Sequence, residues 1–292
     1  MKNLKEIFED AYHNPSSCSA ARRVLAYGIM ENLFTEFKAF PLACQDVSNY
    51  AAYVALCKRH TEVAISQLDI CMPASYENIM ALVLGAAQAI ERSKPSLCWV
   101  MISSAAGLCQ RMGYHRIETM SRDSVEEQNS KIYIFWMIYM FDKTISLRLG
   151  CASAIQDWDI TLPFIPTGEQ HTSAPNGNHM LSYWVKVARV QGQIYEKLFC
   201  PAAFLRSSDE RTSIAIELAN SMNEAWFQRG EAATIDYASL GESTRFVPER
   251  IAIINSGPNE TQIPSKRQRL DANERVQGKF GSHAVCTLAE IF

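Results

Sequence analysis

The chain has 292 residues, of which 48% are hydrophobic and 20% charged, so it contains enough apolar material for one sizeable core. Its formal net charge of −3 provides no overall attraction for a polyanion, which argues against a free-standing DNA-binding protein. The strongest apolar runs are well below the ~18 residues of a membrane span, and the charged N-terminus has no apolar signal-peptide core.

Apolar residues recur at helical spacing over four stretches in the first part of the chain. They predict helices over 19–38, 46–68, 76–90 and 95–112. Pro41 and Pro73 are expected to close the first two helices, and Gly113 the fourth, because glycine tolerates the left-handed backbone found after many helix ends. Small residues at 103–107 are expected to let a neighbouring helix approach closely.

A capping box opens the next predicted helix, since Ser124 is followed three residues later by Glu127. That helix is expected to run to Leu149 and to stop at Gly150. Prolines and glycines at 163–177 predict a loop, after which helical spacing returns over 183–198 and 211–227. The sequence has no alternating strand pattern, so it predicts an all-α fold of packed helical hairpins.

Three segments follow from this pattern. Residues 1–18 are an N-terminal segment, residues 19–230 form the helical domain, and residues 231–292 are a polar tail that is loosely ordered or disordered. A basic cluster at 266–269 fits either a nuclear-localisation signal or a solvated charge run.

Nine cysteines are present without a closely spaced C-x-x-C pair, so a structural zinc site is not expected. Several of them, including Cys57, Cys98 and Cys109, fall inside apolar helical patterns. Reduced thiols behave there as small core residues, which indicates a reducing compartment, the cytosol or the nucleus.

Charged residues stand out at two places, after the fourth predicted helix and within the fifth. His115 and Arg116 could bind an anion, although compensation of the negative end of the helix dipole is the favoured interpretation. Asp142 interrupts an apolar run and needs a partner there, for which Lys143, Arg148 and Arg116 are candidates. We expect Asp142 to fix the register between helices rather than to act in catalysis.

Other patterns that could carry chemistry are weaker. Asp157 and Asp159 flank Trp158 and could suggest a metal site, but two acids without a third ligand more often cap a turn. An aromatic series could line a pocket for an apolar effector or belong to a buried helix, which is more common: Tyr133, Phe135, Trp136, Tyr139 and Phe141. No enzyme or nucleotide-binding motif is present, so no catalytic, metal-binding or cofactor-binding residue is assigned.

The order of motif positions along residues 97–163 resembles the middle homology region of fungal zinc-cluster transcription factors. The positions that carry the resemblance are Trp99, Gly113, His115, Arg116, Trp136, Asp142, Gly150, Asp159 and Pro163. The resemblance implies a nuclear regulatory domain that acts on transcription through regulatory proteins or the transcription machinery. It implies no membrane association, and it leaves a homodimer open.

The chain departs from the family pattern at two places. Cys151 and Ala152 follow Gly150, where the family often has an arginine, which puts any salt bridge at that place in doubt. The six-cysteine zinc cluster that normally reads DNA does not precede the helical region. We therefore expect a fragment or mispredicted product, or a regulator without its own DNA reader, with zinc only in such a missing cluster.

Two alternatives stay open at this point. One is a helical binding protein for a small apolar effector or a partner protein, without DNA binding of its own. The other is an enzyme whose reactive residues the sequence does not reveal.

Overall fold

The computed structural model describes residues 4–39, 49–69, 71–163 and 175–233. Within these ranges the chain forms eight α-helices and no strand, which confirms the predicted all-α class. The helices are α1 (Leu4–His13), α2 (Ala20–Ala39), α3 (Tyr50–Ser66), α4 (Tyr76–Glu91), α5 (Pro95–Arg111), α6 (Val125–Leu149), α7 (Pro175–Ile194) and α8 (Ser208–Ala233). Short 3-10 segments lie at Ile117–Met120, Asp157–Asp159 and Pro201–Leu205, and a π-helical turn at Tyr195–Phe199.

Helices that follow one another in the chain pack as hairpins, as predicted. The pairs in contact are α2 with α3, α4 with α5, α6 with α7 and α7 with α8, while α5 packs on α6 and α2 on α4. Helix α4 is the most enclosed element, because every residue from Ile79 to Ala89 is buried. The core therefore lies around α4, with α5 and α6 packed beside it.

The ends of α6 follow the signals in the sequence. The Ser124 hydroxyl accepts a hydrogen bond from the Glu127 backbone N–H at 3.3 Å, and the Glu127 carboxylate accepts one from the Ser124 N–H at 3.0 Å. Gly150 ends the helix at φ +68°. Gly113, after α5, has φ +73°, so both glycines occupy the backbone region that side chains disfavour.

Two glycines that the sequence did not single out, Gly28 and Gly85, lie at close helix contacts. A Cβ added at Gly28 would lie 2.8 Å from Leu84 Cδ2, and one added at Gly85 would lie 2.3 Å from Met101 Cε. At Gly107 an added Cβ would meet nothing within 4 Å. The expected close approach around residue 107 was therefore wrong for the glycine, although its neighbours at 105 and 106 are buried.

Three element boundaries differ from the prediction. Helix α1 was not predicted, yet Ile7 and Ala11 pack into the core. Helix α7 begins at Pro175, inside the predicted loop, because proline is tolerated in the first helical turn. Helix α8 is longer than the predicted 211–227, and its Leu218 and Ala225 are buried as expected. The basic cluster at 266–269 lies outside the described residues.

None of the helices in the described ranges combines the length and apolar character needed to cross a membrane.

Trp136 on α6 provides a direct test of the core. Its side chain is 3% exposed, and its ring meets those of Phe135 and Tyr139 edge-on at 5.3 Å. Trp136→Ala should lower the free energy of unfolding by about 3–5 kcal/mol, since it leaves a large cavity. Chemical denaturation measures the loss.

The matched control is Trp158→Ala, because Trp158 is 83% exposed. That variant should change stability by less than about 0.5 kcal/mol. A loss below about 1 kcal/mol for Trp136→Ala would show that the Trp136 ring does not contribute to the core.

Candidate functional site

Most of the motif positions meet at one place in the structure. Residues 150–163, which follow α6 and are here termed the anchored loop, include Gly150, Asp159 and Pro163. Trp136 and Asp142 reach this loop from α6, and the segment after α5 reaches it through His115 and Arg116. Gly113 shapes the turn that leads to this segment, whereas Trp99 packs half-buried against the core on α5.

The carboxylate of Asp142 is completely buried and binds the backbone of the anchored loop. Oδ1 accepts the Ala154 N–H at 3.0 Å, and Oδ2 accepts the Ile155 N–H at 2.9 Å as well as the Ser153 hydroxyl. Two amides and a hydroxyl therefore compensate its desolvation.

The expectation that a basic side chain pairs with Asp142 was wrong. Arg116 binds Asp159, Lys143 binds Asp157, and Arg148 is exposed. The physical reason is that hydrogen bonds from backbone N–H groups stabilise a buried carboxylate as a cation does. The residue pattern alone does not show that the loop after α6 folds back to place its N–H groups beside Asp142.

Lys143, adjacent to Asp142 on α6, is also buried and holds the same loop. Its Nζ donates to the Ile155 carbonyl at 2.7 Å and lies 2.9 Å from Asp157 Oδ1. The Tyr139 hydroxyl donates to the same Asp157 oxygen at 3.0 Å. Burial raises the pKa of the Tyr139 phenol, so it keeps the proton that it donates.

Helix α7 closes over this cluster from the other side. Arg189 Nε lies 3.7 Å from Asp157 Oδ2, and the Thr144 hydroxyl on α6 donates to Gln191 at 2.7 Å. A Cβ added at Gly192 would lie 2.8 Å from Lys143 Cδ. The glycine thus leaves the space that the buried lysine stem occupies.

Asp159 joins the anchored loop to the end of the α5 segment. Arg116 Nη2 lies 2.6 Å from Asp159 Oδ1, and His115 Nε2 lies 3.3 Å from Oδ2. The Thr161 N–H donates to the His115 carbonyl at 3.1 Å, so backbone as well as side chains join the two segments. The sequence left open that His115 and Arg116 bind an anion, and in the structure that anion is the Asp159 carboxylate of the same chain. The favoured interpretation, compensation of the helix dipole, did not include this contact.

The electrostatics of His115 follow from its burial, since the residue is 6% exposed. Desolvation lowers the pKa of the imidazole below its usual 6.5, Arg116 lowers it further, and Asp159 opposes the shift. The Arg116 guanidinium in turn lowers the pKa of the Asp159 carboxyl. His115 is therefore neutral and Asp159 ionised near pH 7.

The charged groups of this region pair with one another. Asp157 and Asp159 face different basic residues, which disfavours the metal alternative. In the part of the chain that the structure describes, no three His, Cys, Asp or Glu side chains converge on a metal-sized site. Burial raises the pKa of the Cys98 thiol to about 12, so this thiol stays protonated and is a poor nucleophile.

The aromatic series on α6 forms core rather than a pocket wall, because Phe135, Trp136, Tyr139 and Phe141 are buried. An open groove of about 600 Å³ lies instead between α1 and α2. Its lining residues are Phe8, Glu9, Ala11, Tyr12, His13, Pro15, Tyr27 and Met30. The groove was not expected from the sequence, because α1 was not predicted.

This part of the chain matches a known protein family. Residues 60–229 match the fungal specific transcription factor domain, over a span that contains all nine motif positions. The chain belongs to this family. The resemblance found in the sequence is thereby confirmed.

Relatives of this family member include proteins that are named as regulators. An uncharacterized transcriptional regulatory protein of Schizosaccharomyces pombe is 24% identical over 208 residues, which cover 62% of this chain and 27% of the relative. Protein STB5 of Saccharomyces cerevisiae is 21% identical over 84% of this chain and 33% of its own length. The negative regulator of pleiotropic drug resistance STB5 of Candida glabrata is 22% identical over 69% of this chain and 20% of its own length.

The chain thus spans a third or less of the length of these relatives. No solved structure matches it.

Asp142→Asn tests the connection between α6 and the anchored loop. One carboxylate oxygen becomes an amide nitrogen that faces an N–H donor, so we expect the free energy of unfolding to fall by about 2–4 kcal/mol. The losses of Asp142→Asn and Ser153→Ala should add to more than the loss of the double variant, because the two residues share a hydrogen bond.

Glu217→Gln, which neutralises an exposed carboxylate on α8, is the control and should leave the unfolding curve unchanged. An Asp142→Asn protein as stable as the parent would show that the buried carboxylate does not hold the loop.

His115 predicts a pH dependence of stability. Because the pKa of His115 is lowered in the folded state, the unfolded chain binds more protons once the pH falls below about 7. The stability that neutral His115 contributes is therefore fully present above the pKa that the imidazole has in the unfolded chain. It is lost as the pH falls towards the lower pKa of the folded state. The free energy of unfolding of the parent and of His115→Gln is measured by denaturation at pH values from about 7.5 to 5.5, and it should depend less on pH in the variant. Equal pH dependence in the two proteins would show that His115 is not the group responsible.

Proposed function

We propose that this chain is the regulatory part of a fungal transcription regulator, which acts in the nucleus through contacts with regulatory proteins or the transcription machinery. The family match over residues 60–229 is the observation that carries this proposal. If a full-length product carries a six-cysteine zinc cluster, that domain would contact DNA and hold the zinc. This chain supplies the helical body that positions the anchored loop.

The geometry favours a binding role over an enzymatic one. The acids and bases near the anchored loop pair with one another, and relatives of the chain bear the names of regulators. A homodimer stays a prediction of the sequence analysis.

The groove between α1 and α2 supports a second candidate function, the binding of a small apolar effector. Its volume of about 600 Å³ lies within the ~300–1,000 Å³ typical of ligand pockets. Phe8, Tyr12, Tyr27 and Met30 provide apolar walls, and Glu9 also lines the groove. An effector bound there would contact the first two helices and leave the anchored loop untouched.

A reporter experiment tests the proposed function. The chain is fused to an unrelated DNA-binding domain in yeast, and transcription from a promoter with the matching sites is measured. We expect the fusion to raise or lower transcription relative to the DNA-binding domain alone. Trp136→Ala, which disrupts the core, should abolish this change in transcription when the variant is present at the same protein level as the parent. A parent fusion without any effect on transcription would contradict the proposal.

The chain by itself should not bind duplex DNA selectively, because its net charge is −3 and DNA reading is assigned to another domain. A gel-shift titration at physiological salt with promoter and scrambled duplexes measures this. Selective binding tighter than about 1 μM would assign DNA recognition to this chain.

A further inference from the structure

Helix α3 carries two sets of residues at the spacing that lets one helix pack along another. Val54, Cys57, Thr61 and Ala64 follow one another at intervals of three or four residues. This alternation is the heptad spacing of helices that pack side by side. The four residues are half-buried or buried, as expected for the side of α3 that packs on α2.

The second set has the same spacing but lies on the exposed side of α3. We term it the exposed seam, and it consists of Ala52, Leu56, Arg59, Val63 and Ser66. All of its members are exposed, with Leu56 at 53% and Val63 at 47%. At 1.5 Å per residue the seam is about 21 Å long. It therefore has the spacing and length of a helix-packing surface, yet no helix of the described ranges covers it.

Ring contacts beside the exposed seam hold α3 against α2. The Tyr53 ring lies 5.2 Å from that of Phe34, and the His60 ring is stacked on that of Tyr27 at 4.7 Å. These contacts fix the helix that carries the seam. A partner that binds the seam thus loses little free energy to ordering this surface.

Arg59 lies in the middle of the exposed seam and determines the charge that a partner should carry. Among the described residues, no ion pair or hydrogen bond involves its guanidinium group. Glu62, three residues further along the helix, lies 3.7 Å from Arg92 instead. A guanidinium offers paired N–H donors that match the two oxygens of a carboxylate. The seam is therefore complementary to an apolar surface with one acid at its centre.

We propose that the exposed seam of α3 binds an amphipathic helix of a partner protein, whose apolar side carries a carboxylate opposite Arg59. Apolar side chains of the partner would pack on Leu56 and Val63, since helices with matching heptad spacing interlock along their seams. The inference rests on the proposed function, because it names the partner chemistry through which the regulator would act.

A second copy of this chain suits the exposed seam less well than an acidic partner helix. In a two-fold pair of α3 helices, the residue at the centre of the seam lies close to its own copy. Arg59 is at that centre, so two guanidinium groups would face each other. Like charges across an interface are destabilising, whereas a carboxylate on a partner helix pairs with Arg59.

The probes are two fluorescently labelled helical peptides with leucine at the heptad positions. One has a glutamate at the central heptad position and is termed the Glu peptide, and the other has a lysine there and is termed the Lys peptide. Both are titrated with the full chain by fluorescence anisotropy at physiological salt. The parent should bind the Glu peptide with a dissociation constant below about 100 μM. It should bind the Lys peptide about tenfold or more weakly.

Substitution of Arg59 tests the charge at the centre of the seam. Arg59→Gln should remove the preference for the Glu peptide, and Arg59→Glu should reverse it in favour of the Lys peptide. A residue that only stabilised the fold would not produce this reversal. The matched control is Lys58→Gln, which removes the neighbouring exposed cation outside the seam and should keep the preference of the parent.

Substitution of Leu56 tests the apolar part of the seam. Leu56→Ala should weaken binding of the Glu peptide about fivefold or more. The control is Ile216→Ala on α8, since Ile216 is 59% exposed and lies outside the seam, and it should bind like the parent. Melting temperatures of these variants should stay close to that of the parent, because the changes are on the surface.

Three results of the titrations would overturn the inference. The parent does not bind the Glu peptide, it binds both peptides equally, or Arg59→Glu keeps the preference of the parent. Sedimentation of the chain alone tests the second copy as occupant. A dimer that Leu56→Ala dissociates would assign the seam to self-association and would also overturn the inference.

The reporter fusion separates this inference from the proposed function. When the parent fusion regulates the reporter and both Leu56→Ala and Arg59→Glu act like the parent, the inference fails and the function stands. When the parent fusion has no effect, the proposed function fails, and the peptide titrations alone decide whether the exposed seam binds an acidic amphipathic helix.

Discussion

A carboxylate that is completely removed from water must be compensated, and in this domain that constraint applies to Asp142. The donors that compensate it are the backbone N–H groups of Ala154 and Ile155 and the hydroxyl of Ser153. Backbone amides can reach the carboxylate only when the loop lies along α6. The position of residues 150–163 therefore depends on one charge in the middle of that helix.

The neighbouring charges extend this dependence to other helices. Lys143 adds a second buried contact to the loop, and Asp159 extends it to the segment after α5 through Arg116. Hydrogen bonds that share partners in a poorly hydrated region strengthen one another, whereas an isolated buried ion pair often contributes little. The loop thus connects α5, α6 and α7 through a network in which each acid has more than one donor.

This arrangement also bears on how a regulator of this family can act. The acids and bases around the anchored loop are directed at each other. A binding protein needs a surface held in one shape, which a loop anchored on three helices provides. A second buried pair, Arg92 with Glu31 at 2.9 Å, joins α2 to the end of α4.

The sequence alone determined the features that depend on local geometry. Helical spacing, the Ser124 capping box and the glycines at 113 and 150 set where the helices begin and end, because such signals act within a few residues. Trp136 was correctly expected in the core, since a ring in an apolar helical run has few other places to lie.

Only the tertiary structure decided which groups meet. The Asp142 partners lie 11 to 13 residues away in a loop, and Asp159 is 43 residues from Arg116, so no spacing rule connects them. Helix α1 shows the same limit, because a ten-residue helix is marginal alone and is held by the surface that it covers. Local patterns specify the conformation of a segment, whereas the partner of a buried charge depends on which segments the whole fold brings together.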